Sequence, residues 1–128
     1  MNHCPESYQR EFATRWVEAG ADLVVGSHPH VLQGVERIDN AWVVYSTGNF
    51  AFPSARGLSD DSAVFEFTFD EEGTSLVAHP VHIIAGRPHP ASEKQTVDIL
   101  ELLSGHSFGF VFDETGTAVP AGEAGLCG

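Results

Sequence analysis

The sequence predicts an α/β domain in which one αβ unit is followed by antiparallel hairpins, and three observations carry that prediction. The stretch PESYQREFATRWVEA at 5–19 has helical periodicity and ends on Gly20. A continuous apolar run, Leu23-Val24-Val25-Gly26, comes directly after it, and AVFEFTF at 63–69 alternates with a period of two. Helix, glycine turn and buried strand make an αβ unit; strict alternation belongs to half-buried strands of antiparallel sheets.

The elements follow in chain order. Pro5 suits a first helical turn, Glu6 complements the helix dipole and Gly20 supplies the stop. Tyr8, Phe12 and Trp16 fall at i, i+4 and i+8, a stripe expected to be core. Leu23 to Gly26 is apolar on both faces, the habit of an inner strand of a parallel sheet. The other strong strands come as antiparallel hairpins, so no parallel neighbour for it is evident, and an inner strand without neighbours favours association. Val35–Ile38 and Trp42–Tyr45 flank the turn-forming Asp39-Asn40-Ala41. Residues 53–61 are a polar surface loop. In 63–69, Phe65, Phe67 and Phe69 share one face, and Asp70-Glu71-Glu72-Gly73 turns the chain into a strand at 75–84. Residues 95–103 form a helix with Val97, Leu100 and Leu103 on one face, flanked by Ile99 and Leu102. Phe108, Phe110 and Phe112 alternate in an edge strand, and the Gly/Ala-rich tail from Val119 is expected to fray. The domain is thus residues 1–103, with 104–128 as an extension.

Composition narrows the partners. The 128 residues hold 18 Asp plus Glu against 6 Lys plus Arg, a formal net charge of -12. Such a surface is unsuited to nucleic acid or an anionic membrane, because it cannot displace counterions from phosphates. There is no apolar run long enough to span a bilayer, and Met1 to Pro5 has neither the basic nor the apolar region of a signal peptide. Cys4 and Cys127 lie near opposite ends; a terminal staple and two free thiols fit equally, and the count fixes no redox compartment.

The chemistry concentrates at Ser27-His28-Pro29-His30. These residues leave the carboxyl end of the apolar run, where open α/β sheets bind ligands. Pro29 removes a backbone donor and is expected to hold His28 extended, which stiffens the loop. Two imidazoles at i and i+2 can approach one metal, or two neighbouring metals, and imidazole suits Zn, Mn, Fe or Ni. His79 and His82 lie three apart in a strand pattern and face opposite sides, a structural or solvent-exposed pair. His89 reads as a loop residue, and His3 and His106 have no evident partner.

The string GADLVVGSHPHVLQGVE, followed by VVYSTGNFAF, closely resembles the bacterial capsule-synthesis CapA family. Three pieces match in order: Gly-Ser-His-Pro-His-Val at 26–31, Tyr-Ser-Thr-Gly-Asn-Phe at 45–50 and the hairpin VFEFTFDEEG at 64–73. Cys4-Pro5 to Gln9 also looks like the family, so the resemblance covers roughly residues 4–90. It implies a role in poly-γ-glutamate synthesis and capsule formation, a cell-envelope setting, and a layered α/β sandwich like the calcineurin-type metallophosphoesterases. It further implies a divalent metal (Mn, Zn or Fe) with His28 and His30 as ligands. Asn49 lines the same cleft by resemblance, or merely occupies a tight turn. Ser27 orients a ligand or, more simply, caps the following turn.

The family's upstream Gly-Asp strand end, Asn-His or Asn-Glu segment and His-Trp-Gly motif have no counterpart here. The chain therefore reads as the C-terminal half of such a domain. Asp22 sits at the wrong end of its strand, and Glu36 reads as solvent-exposed, so the metal site is incomplete and catalytic residues stay unassigned. Three readings follow: part of a metal-dependent enzyme, inactive alone and completed by an N-terminal half or by self-association; a non-catalytic interaction module; or a small α/β domain with an incidental histidine pair.

Overall fold

A computed structural model of the chain describes residues 2–53, 56–122 and 125–127. Helix α1 (Ser7–Glu18) leads into β1 (Leu23–Val25), β2 (Val35–Ile38) and β3 (Ala41–Val44). After a 3-10 turn at Gly57–Asp60 come β4 (Asp61–Asp70), β5 (Gly73–Ile84) and β6 (Arg87–Pro90), then α2 (Glu93–His106), β7 (Phe110–Phe112) and β8 (Ala118–Pro120). The αβ unit followed by antiparallel hairpins is what the sequence patterns predict. The 53–61 loop lies partly outside the described residues.

Strand β3 organises the first sheet, whose order is β1-β3-β2. It runs antiparallel to β2, with Val35 opposite Val44, and parallel to β1, with Val24 opposite Val43. The parallel neighbour thought to be lacking is thus the second strand of the following hairpin, which has two edges to offer. The position of β1 is the reverse of the inner one expected: it is an edge strand, and Val25 is exposed. The second sheet, β4-β5-β6, is antiparallel throughout, with Phe65 opposite Ala78 and His82 opposite His89. His89 therefore lies in a strand and not in a loop.

The main core lies between the two sheets and α2. Leu32, Val35, Trp42 and Val44 from the first sheet and its β1–β2 loop meet Ala63, Leu76 and Ala78 from the second, closed by Ile99, Leu100 and Leu103. Trp42 donates its indole N–H to Thr74 Oγ1 at 2.9 Å, tying the sheets together. Ser92 and Gln95 cap α2 reciprocally, and its inner face is Ile99, Leu100 and Leu103, with Val97 turned outward. On the outer face of the first sheet, Val43 and Tyr45 pack on Ala13 of α1.

That second contact explains a failed expectation. Tyr8, Phe12 and Trp16 are 60 %, 55 % and 61 % exposed. The helix instead seats Gln9, Ala13 and Val17, one residue further round. Periodicity finds a stripe but not what covers it. The extension also differs from expectation. Phe110 to Phe112 is a strand, but Val119 lies in β8 beside it, and Leu126 N–H donates to Gly105 O at 2.6 Å. Cys4 and Cys127 form a disulfide. The described tail is held against α2, not frayed.

Candidate functional site

Strand β1 delivers the chain to Gly26, whose N–H donates to Val44 O at 2.7 Å while its carbonyl accepts from Thr47 N–H at 3.3 Å. A Cβ here would stand 2.1 Å from Tyr45 O, so only glycine continues the strand past β3. The chain then turns through His28 at φ +100° and His30 at φ +62°. The extended His28 expected before proline is therefore absent. Positive φ at two non-glycine residues costs on the order of 1–3 kcal/mol each and persists only where surroundings impose it.

The two imidazoles are exposed, with ring centroids 5.7 Å apart and planes at 53°. Asn49 fixes one of them. Its Nδ2 donates to His30 O and to Ser59 O, both at 3.2 Å; since carbonyls only accept, the amide orientation is set and Oδ1 faces His30 Nδ1 at 2.8 Å. His30 Nδ1 must therefore carry the proton, leaving Nε2 as a free lone pair. Holding one ring nitrogen this way is how a metal-binding imidazole is oriented. Phe52 packs on the same ring at 4.9 Å between centroids. Asn49 is buried, the positive φ of its turn belongs to Gly48, and the Ser62 hydroxyl contacts its carbonyl. Its side chain bonds His30 and Ser59 and not its own turn.

Ser27 is exposed at the start of the turn that runs through His28 and His30. With His28 it borders a groove of about 250 Å³ whose other walls include Tyr8, Phe12, Trp16 and Val25. The open aromatic stripe, the open edge of β1 and the histidine loop thus form one continuous surface.

Three further contacts were not legible beforehand. Glu36 is far from solvent-exposed: it takes two hydrogen bonds from Arg10, at 2.7 and 3.2 Å, and one from the Tyr45 hydroxyl at 2.5 Å. The Glu36 hydrogen bond raises the Arg10 pKa above its ordinary value, while burial, reinforced by the Glu36 carboxylate, pushes the Tyr45 hydroxyl well above the usual tyrosine value. Gln9 donates to Gln33 Oε1 at 2.9 Å, and Gln33 donates onward to the carbonyls of Asn2 and Cys4. Both glutamines sit in the strings that carry the family resemblance, and they fasten the N-terminal arm to the segment after the histidine loop. His82 meets Asp61 at 2.9 Å, a separate pair between β4 and β5.

Measured against a metal, the loop offers two imidazoles. Among the described residues no third histidine, cysteine or carboxylate groups with His28 and His30; the one triad of possible ligands is Cys4, His106 and Cys127. These donors fit part of the shell of one ion and do not fit a two-metal centre.

Mixed layers with a histidine loop at a strand end agree with the metallophosphoesterase-like class implied by the sequence. Residues 1–54 match the family model described as Bacterial capsule synthesis protein PGA_cap. The chain is 32 % identical over 114 residues to the PGA biosynthesis protein CapA of Bacillus subtilis (strain 168), covering 86 % of this chain and 30 % of that protein. It is 36 % identical over 89 residues to the Capsule biosynthesis protein CapA of Bacillus anthracis, covering 69 % of this chain and 22 % of that one. The chain is a relative of the bacterial capsule-synthesis CapA proteins and spans less than a third of their length.

Proposed function

We propose that the chain contributes the His28/His30 arm of a metal-dependent site in envelope polymer synthesis, of the capsule or poly-γ-glutamate kind, and is inactive without further donors. The carrying observation is the Asn49 contact, which leaves His30 Nε2 free beside His28. Ser27, next to His28 on the groove wall, is the residue proposed to meet substrate. The partner that supplies the missing donors is the N-terminal part of a CapA-type domain. It would add a strand to the open edge of β1 and cover Phe12 and Trp16, because groove and histidine loop are continuous. Among the described residues no helix is long and apolar enough to cross a membrane.

The test is co-expression with the N-terminal part of a complete CapA relative. Light scattering should show a heterodimer, and Mn or Zn affinity should rise with it, whereas the chain alone shows no metal-stimulated phosphodiester hydrolysis. Metal-dependent turnover by the isolated chain, lost in His28→Ala, would refute the incompleteness of the site. A monomer indifferent to the partner would refute the docking. The exposed aromatic groove also favours a second reading, a non-catalytic interaction module, in which the complex forms without any gain in metal affinity.

A further inference from the structure

The chain's other cluster of metal-competent side chains lies where the two terminal arms meet. Cys4 Sγ, Cys127 Sγ and a His106 ring nitrogen all lie within 4.8 Å of one another. His106 donates its Nδ1–H to Leu102 O at 2.8 Å, and His3 donates its Nδ1–H to Leu32 O at 2.6 Å. A carbonyl oxygen can only accept, so each ring carries its proton on Nδ1 and presents Nε2 as a bare lone pair. His3 Nε2 is buried with no hydrogen-bond partner, and its ring lies 5.3 Å from that of His106. An unpaired buried acceptor such as His3 Nε2 is costly; His106 stands oriented by a backbone carbonyl beside two sulfurs, and His3, outside that 4.8 Å group but with its ring against His106, has only a short way to move to complete a tetrahedral zinc shell.

We propose that Cys4, Cys127, His106 and His3 form a redox-gated Cys2His2 site for Zn²⁺. With the disulfide closed there is no thiolate and no site. A dithiol reductant transfers two electrons and two protons to the Cys4–Cys127 bond and is itself oxidised to a disulfide. Zn²⁺ then binds both sulfurs and displaces the two thiol protons to solvent, remaining Zn²⁺ throughout. Two thiolates against a divalent ion leave the half-buried site neutral. Soft sulfur ligands select zinc over Mn²⁺ or Mg²⁺, which prefer oxygen.

The backbone holds the donors in place without the sulfur–sulfur bond. Gln33 Nε2 donates to Cys4 O at 3.2 Å and to Asn2 O at 2.9 Å, anchoring the first arm. On the other side Gly125 approaches α2 so closely that a Cβ would stand 2.0 Å from Gly105 O, and Leu126 N–H bonds that same carbonyl. Donors at zinc–sulfur and zinc–nitrogen distances sit roughly 3.3–3.8 Å apart in a tetrahedron, so opening the disulfide allows the sulfurs to separate by the small amount required.

The experiment uses the whole chain, oxidised or reduced with dithiothreitol and then freed of reductant without air. Cobalt serves as the spectroscopic probe for zinc. The reduced chain should take up one equivalent of Co²⁺ with a thiolate-to-cobalt charge-transfer band and tetrahedral visible bands, displaced by Zn²⁺ but not by Mn²⁺. The oxidised chain should show neither. His106→Gln and His3→Gln should each weaken cobalt binding at least about tenfold, the effect expected even for outer-shell groups. His28→Ala/His30→Ala should leave the bands intact, separating this site from the histidine loop. Bound zinc should also protect both cysteines of the reduced chain from alkylation. A reduced chain that shows no thiolate band, folded or not, overturns the proposal, as does a band that survives Cys4→Ser. Unchanged affinity in His3→Gln overturns the fourth ligand.

Discussion

Replacing Asn49 with alanine tests the link between fold and histidine loop. The wild-type side chain makes three hydrogen bonds: it accepts from His30 Nδ1 and donates to the carbonyls of His30 and Ser59. Each contributes about 1 kcal/mol net, and carbonyls stripped of their donor in a buried place add desolvation cost, so the loss should be about 2–3 kcal/mol. At about 2.1 cal/mol/K of unfolding entropy per residue, a chain of this length should melt roughly 7–11 °C lower. Asn49→Asp separates the roles. It keeps an acceptor for His30 but sets a carboxylate against two carbonyls, so it should destabilise at least as much while preserving the His30 tautomer. Calorimetry reads the first quantity, and long-range ¹H–¹⁵N correlation of the imidazole reads the second. In Asn49→Ala the proton should redistribute between Nδ1 and Nε2. A variant within about 0.5 kcal/mol of wild type, with His30 still protonated on Nδ1, would refute Asn49 as the positioning residue.

Three other outcomes are expected. Cys4→Ser/Cys127→Ser opens a loop closed across 123 residues, which in the chain-entropy account removes about 5 kcal/mol, read by urea unfolding in chelator; a loss under about 1 kcal/mol would refute it. Tyr45 resists ionisation in the fold, because burial and Glu36 both raise its pKa, so it contributes stability that is complete below the unfolded tyrosine pKa of about 10 and is lost as pH rises above it. An ultraviolet titration should show Tyr45 ionising above the usual tyrosine range, with Tyr45→Phe removing that step; a wild-type titration complete at about 10 would contradict this. Trp16 is open and Trp42 is 2 % exposed, so acrylamide should quench only part of the fluorescence and Trp16→Phe should abolish that part. Full quenching in the variant would place Trp42 outside the core.

The elements that sequence made legible are those whose pattern is local. Alternation along 63–69 and the Asp39-Asn40 turn name their strands without reference to anything distant. What was misread depended on coverage. Tyr8, Phe12 and Trp16 repeat as core residues do, yet they stand open; Leu23 to Val25 reads as inner because it is apolar, yet among the described residues it pairs along one edge alone. Of the candidate site, His28 and His30 were visible as a pair at a strand end, but the positive φ of both is a property of the folded loop. Asn49 was visible as a cleft or turn residue, and only the fold shows its amide holding His30. Glu36 looked exposed because its partners, Arg10 and Tyr45, come from a helix and from the residue just past a neighbouring strand. Gln33 carried one available signal, a lone amide in the apolar-bounded run Val31-Leu32-Gln33-Gly34.

The Cys4–Cys127 bond, with Cα atoms 5.3 Å apart, makes the polypeptide between them a closed circle. In a circle the order of elements has no first or last member. A protease cut in the exposed turn at Glu71 or Glu72 yields no separate fragments while the bond stands, only a linear chain whose ends now lie at β4 and β5. The same adjacency suits circular permutation, since a short peptide can replace the sulfur link. Such a permuted chain would begin with β5, end with β4, and carry α1 and the histidine loop in its middle.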